Sequence, residues 1–137
     1  MYDFIEGVIS WRGLNCVVAT SGGVGYLVRV GERTKTYLVA RPDARRVYVH
    51  HRVREDDETL YGFICEIDRA LFEALLTVER VGPATALGIV DLGEPMHVWQ
   101  AIRMGNAAFL RRARGCGENT ANKIILALAG KGQGADA

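Results

Sequence analysis

The spacing of apolar residues changes character near residue 64. Before it they alternate or cluster as in short strands, over Phe4 to Trp11, Leu14 to Thr20, Gly25 to Val30, Val47 to Val53 and Thr59 to Phe63. These segments are rich in Val, Tyr and Ile, as half-buried strands are. Ser21-Gly22-Gly23 supplies a turn between the second and third, and Gly7 and Gly25 stand where a tightly curled strand needs a bend or a bulge. Arg41 to Arg45, with Pro42 and Asp43, reads as a polar loop. Five short strands that close on one another predict an OB-like β-barrel over residues 1–64.

From Cys65 the period is that of helices. Ile67, Leu71, Ala74, Leu75 and Val78 form one apolar stripe, which predicts a helix from Glu66 to Val78. Pro83 takes a favoured first helical position and opens a second helix that runs through Val90. Gly93 punctuates, Glu94 to Met104 form a third, and Asn106 is placed to cap a fourth that ends near Arg114. Ala121, Ile124, Ile125 and Leu128 give the last helix its buried face. Residues 65–130 therefore read as an all-α domain. The glycine-rich polar end that starts at Gly130, residues 131–137 in domain terms, reads as a flexible tail or the start of a linker.

Two short turns interrupt this helical half, Val81-Gly82-Pro83 and Gly115-Cys116-Gly117, each between one helical pattern and the next. They read as paired helix-hairpin-helix motifs. A glycine turn that opens a helix leaves several backbone N–H groups unpaired beside the positive end of the helix dipole, an arrangement suited to a phosphate. Such a site grips the DNA backbone and is indifferent to base sequence.

Composition narrows the choices only slightly. The 137 residues are 49% hydrophobic and 24% charged, enough for one core of ordinary size or two small ones. No apolar run is long enough to cross a bilayer, and the acidic start Met1-Tyr2-Asp3 lacks a signal peptide's basic region, so a soluble cytoplasmic protein is expected. Cys16, Cys65 and Cys116 are too far apart for a CxxC metal site and too few for a disulfide framework, and buried thiols are the plain expectation. The net charge of +1 does not announce a nucleic-acid partner. Of the 17 basic residues 14 are arginine, whose planar fork matches phosphate oxygens, although a GC-rich genome produces the same bias.

One dense charge run stands out, Arg54-Glu55-Asp56-Asp57-Glu58, between two strand patterns, so that four carboxylates crowd one hairpin tip. A solvated turn accounts for it, and a magnesium site is a second reading, although no further acid cluster or partner histidine offers more ligands. A third is electrostatic: a fixed negative pin that repels phosphates and keeps DNA strands apart. His50 and His51 are adjacent on a strand and point to opposite faces, so they cannot chelate one ion together. His97 and Trp99, with Met96 and Val98, read as packing on a short helix. There is no Ser, His and Asp arrangement, Walker loop or HExxH motif, so the expectation is a protein with no catalytic residues, no cofactor and no metal site.

Taken in order, Gly22-Gly23-Val24-Gly25-Tyr26, Val53-Arg54-Glu55-Asp56, Leu60-Tyr61-Gly62-Phe63, Leu71-Phe72, Val81-Gly82-Pro83 and Gly115-Cys116-Gly117 with Thr120-Ala121 resemble the RuvA family, from the first strand to about residue 130. The resemblance implies an OB-fold domain, then a helical domain with two helix-hairpin-helix motifs. It implies a non-catalytic scaffold that holds four-way (Holliday) junction DNA open for branch migration, as a homotetramer, or an octamer on DNA. The implied partners are a hexameric RuvB-type ATP-driven motor and a RuvC-type resolvase. Carried over residue by residue, Glu55 and Asp56 match the acidic pin at the junction centre. Arg54, Arg80, Val81, Gly82, Gly115, Gly117, Thr120 and Lys123 fall at DNA-binding positions.

The chain also departs from the family pattern. Arg80 replaces a glycine, Ala84 a basic residue, Glu118-Asn119 a basic pair, and Asp3 and Phe4 a glycine and an arginine. Glu118 beside a phosphate exchanges attraction for repulsion, and Arg80 adds a cation to the same surface. The sequence stops where the family's linker to a third, motor-binding helical domain begins, which fits a shortened chain or a natural short homologue equally. These departures leave a competing expectation, a paralogue that keeps the tetrameric fold, has lost junction binding, and serves as an interaction protein.

Overall fold

The computed structural model describes residues 2–131. Two compact units divide the chain, Met1–Arg69 and Ala70–Ala137.

The first unit contains strands β1 (Phe4–Glu6), β2 (Val8–Arg12), β3 (Asn15–Ala19) and β4 (Gly25–Arg29), helix α1 (Glu32–Val39), and strands β5 (Arg46–Val53) and β6 (Glu58–Phe63). The sheet order is β1-β5-β6-β4-β3-β2, with β4 and β6 parallel and every other pair antiparallel. The two edge strands, β1 and β2, are the halves of the single strand expected from Phe4 to Trp11, broken at Gly7. One bent strand thus closes both ends of a five-stranded barrel. A Cβ at Gly7 would overlap the carbonyl of Ala19, so only glycine lets the backbone turn this corner. The bend is fastened by the Gly7 N–H, which donates to the Arg45 carbonyl at 2.9 Å.

Alternate residues of the strands fill the barrel. Ile5, Cys16, Val18, Val28, Val30, Val47 and Val49 are buried together with Leu38, which α1 contributes. Gly62 lies among them because a Cβ there would come within 2.5 Å of Val28 Cγ1 and 2.7 Å of Val47 Cγ1. Helix α1 is absent from the apolar pattern: it buries only Thr34 and Leu38, and a single apolar contact in eight residues makes no stripe.

Helix α2 (Glu66–Leu76) begins in this unit. Its Asp68 carboxylate is buried against the Arg33 guanidinium at 2.7 Å. The next residue, Arg69, donates to the Asp3 carbonyl at 2.6 Å and the Val49 carbonyl at 3.2 Å, and pairs with the Asp3 carboxylate at 2.8 Å. The departures at the amino end find their partners here. Asp3 holds Arg69, and Phe4 lies under the Arg46 guanidinium at 4.0 Å.

In the second unit α2 is followed by α3 (Pro83–Val90), α4 (Pro95–Arg103), α5 (Ala107–Leu110) and α6 (Glu118–Leu128). Leu71, Phe72, Leu75, Ile89, Ile102, Leu110, Ile124 and Leu128 are its fully buried large side chains. Four expectations are corrected. The first helix ends at Leu76, and its stripe is shifted: Ile67 is 44% exposed while Phe72 is fully buried. Ile125 is only half-buried. Helix α5 is one turn long, although Asn106 caps it as expected, its side chain accepting from the Phe109 N–H at 3.1 Å. In α4 the packing belongs to Val98 and Trp99, whereas Met96 and His97 are exposed. Residues 129–131 add a 3₁₀ turn after α6, so Gly130 and Lys131 still belong to the helical end, and the remainder of the expected tail lies outside the described residues. Among the described residues no helix is long and apolar enough to cross a membrane.

Candidate nucleic-acid interface

The two hairpins are one structure built twice, with corresponding residues 35 positions apart. Each begins with a residue in the left-handed region, Arg80 at φ 70° and Gly115 at φ 84°. The next residue is buried, Val81 or Cys116, and donates its N–H at 3.1 Å to the carbonyl three residues back, Val78 or Ala113. Then comes an extended glycine, Gly82 or Gly117, as the residue that precedes the helix. Helices α3 and α6 start from these glycines, with Ala86 donating to Gly82 at 3.0 Å and Ala121 to Gly117 at 2.9 Å. Ala86 and Ala121 are both fully buried.

Neither helix start has a side-chain cap, because glycine has no side chain to accept. Backbone donors therefore remain at each end: the N–H groups of Ala84 and Thr85 on α3, and of Glu118, Asn119 and Thr120 on α6. Pro83 removes one donor from the first set. Unpaired amides at the positive end of a helix attract an anion that brings its own oxygen acceptors. The motifs also pack on one another. A Cβ at Gly115 would reach Thr85 Oγ1 at 3.0 Å, and one at Gly88 on α3 would reach the Arg114 carbonyl at 3.3 Å.

This geometry sorts the expected DNA-binding residues. Arg80 is exposed at the first turn, and Lys123 and Thr120 are partly exposed on α6. Gly82, Gly115 and Gly117 shape the turns. Val81 differs, because its side chain lies in the core and its N–H is spent on Val78, so what it offers the site is the shape of the turn. Ala84, Glu118 and Asn119 are exposed at the helix starts. Charge is mixed there: Glu118 lies 3.8 Å from Arg111, and Glu79 lies 3.9 Å from both Arg80 and Lys123. The residue that sequence reasoning missed is Glu79, whose link to Lys123 depends on how α6 folds back.

In the barrel, Arg54–Asp57 form the tip between β5 and β6, closed by the Arg54 N–H donating to the Asp57 carbonyl at 2.8 Å. Arg54, Glu55, Asp56 and Asp57 are all exposed. Glu58 is not at the tip: it starts β6 and meets His51 Nε2 at 2.7 Å, so three carboxylates crown the hairpin where four were expected. Among the described residues no three His, Cys, Asp or Glu side chains stand together as metal ligands. All three cysteines are free; Cys16 and Cys116 are buried and Cys65 is half-buried. Burial pushes the Cys16 thiol up to about 11, and the Cys116 thiol upward as well.

Comparison with known proteins meets this geometry at both ends. The RuvA N terminal domain family matches residues 1–62, and the SAM-like helix-hairpin-helix tandem family matches residues 72–129. A Holliday junction branch migration complex subunit RuvA from Bacillus velezensis is 35% identical over 131 residues, covering 96% of this chain and 64% of the relative. The protein of that name from Streptococcus gordonii is 35% identical over 136 residues, covering 99% of this chain and 69% of the relative. One from Brevibacillus brevis is 35% identical over 133 residues, with 96% and 63% covered. The chain thus spans about two thirds of the length of these curated relatives. A closed barrel followed by a duplicated hairpin, matched along nearly the whole chain at this identity, means that the chain belongs to the RuvA family.

Proposed function

We propose that this chain is a non-catalytic scaffold that binds four-way DNA junctions and holds them open for branch migration. The observation that carries this reading is the duplicated hairpin, which presents two uncapped helix starts from one packed unit. Arg80, Gly82, Gly115, Gly117, Thr120 and Lys123 form or flank that surface. Two phosphate grips fit a duplex arm, and neither reads bases. Glu55 and Asp56 at the β5–β6 tip, flanked by Arg54, act by charge: a carboxylate pair repels phosphates at the crossover and favours separated strands. The relatives' printed name, subunit of a branch migration complex, supports a role beside a RuvB-type motor, and this reading adds a RuvC-type resolvase as a further partner. A chain with that task acts on DNA in the cytoplasm. Four copies in a closed ring match the four arms of the substrate.

The test is a gel shift that compares a four-way junction with linear duplex of the same sequence, with and without magnesium. Preferential retardation of the junction, no cleavage product, and affinity that falls steeply with salt are expected. Equal affinity for both DNAs, or no binding, favours the second reading, a family member whose junction binding is lost. The Glu118–Arg111 pair is the observation on that side, since it places a carboxylate at a phosphate-binding helix start. Magnesium-dependent cleavage would instead make the acidic tip a nuclease site.

A further inference from the structure

Glu79 lies between a cation of the first hairpin and a cation of the second. Its Oε1 atom lies 3.9 Å from Arg80 Nε in the first hairpin and 3.9 Å from Lys123 Nζ on α6 of the second. One carboxylate oxygen is thus shared by a cation from each motif. The three side chains are substantially exposed, and at this separation such pairs contribute little to folding. Their significance is chemical. A carboxylate presents the same charge sign and the same kind of acceptor oxygens as a phosphodiester, and this one faces one cation from each hairpin motif. Glu118, 3.8 Å from Arg111, sets a second carboxylate beside a single cation at the second helix start.

We infer that Glu79 is a built-in competitor for the DNA backbone, which holds Arg80 and Lys123 until a phosphate displaces it. This inference rests on the reading of the hairpins as a phosphate-binding face. Displacement costs the two weak pairs and leaves a repulsive carboxylate beside the bound phosphate, so each grip is weakened. A DNA that engages few grips then stays below half-saturation at concentrations where one that engages several is bound. Glu79 is accordingly an affinity-setting residue, and Glu118 adds to it.

The test measures fluorescence anisotropy of a labelled four-way junction and of a linear duplex over a salt series. The proteins are the wild type, Glu79→Gln, Glu118→Gln and Asp43→Asn, the last removing the same charge from the barrel loop. Glu79→Gln is expected to bind both DNAs about two- to fivefold tighter, with a steeper salt slope, while Asp43→Asn stays near the wild type. In a Lys123→Gln background the gain from Glu79→Gln is expected to shrink, because the cation it releases is gone. If the wild type binds and Glu79→Gln binds no tighter, or Asp43→Asn gains as much, the competitor is disproved while the DNA-binding reading survives. Binding by Glu79→Gln alone, with a silent wild type, supports the competitor in its strongest form. If neither protein binds either DNA, both readings fall together.

Discussion

Arg80 and Gly115 occupy the same left-handed position in the repeat, and only one of them is suited to it. A side chain at positive φ costs about 1–2 kcal/mol, and glycine returns about 0.5–1 kcal/mol of that through its freer unfolded chain. Arg80→Gly is therefore expected to raise the thermal midpoint by about 2–4 °C while it weakens DNA binding, because the cation is lost. Opposite signs in a melting curve and a binding isotherm check this. Gly115→Ala, strained at φ 84° and pressed to 3.0 Å from Thr85 Oγ1, is expected to lose about 1–2 kcal/mol in the same melt. Inside the barrel, Cys16 adds a dependence on alkali. Burial raises its thiol from 9.0 to about 11, so the unfolded chain releases that proton first. The stabilisation is complete below about pH 9 and is lost as pH rises toward 11. Urea midpoints across that window are expected to fall more steeply for the wild type than for Cys16→Val.

Among the elements, the β5–β6 hairpin gives the sharpest expectation. Neutralising its tip with Glu55→Gln and Asp56→Asn removes two phosphate-repelling charges. Affinity for DNA in general is expected to rise and the preference for junction over duplex to narrow, as read by competition gel shift, with no cleavage by either protein. Unchanged affinity and preference would return the tip to a solvated turn. The features legible in the sequence were those written in local chemistry. Pro83 and the turn glycines marked the hairpins, Asn106 marked a cap, and the alternation through Val47 and Val49 marked a strand. What escaped depended on contacts distant in sequence. Helix α1 rests on Thr34 and Leu38 with Lys35, Thr36 and Tyr37 between, a composition as suited to a strand. Glu58 looked like part of the charge run until its pairing with His51 drew it into β6, and Ile67 began an apolar stripe whose buried face starts later. Glu79 next to Lys123 is a contact across 44 residues, beyond any periodic signal.

For the whole molecule, closed fourfold assembly is the expectation, since a junction with four arms is matched by a ring of identical grips. Light scattering at micromolar concentration is expected to report about four times the 15.0 kDa chain mass, and a strict monomer both free and bound to junction would sink the ring. The bend at Gly7 has a consequence for how the chain is made. Because β1 and β2 are halves of one strand seated at the two ends of the sheet order, the same bent segment covers β5 at one end and β3 at the other. Yet Phe4, Ile5 and Glu6 pair with Tyr48, Val47 and Arg46, residues synthesised some forty positions later. A nascent chain can form the β2–β3–β4 meander as it emerges, while β1 waits for its partner to leave the ribosome. During that interval the barrel carries an unsealed seam, and the protein is then most exposed to pairing with the wrong neighbour.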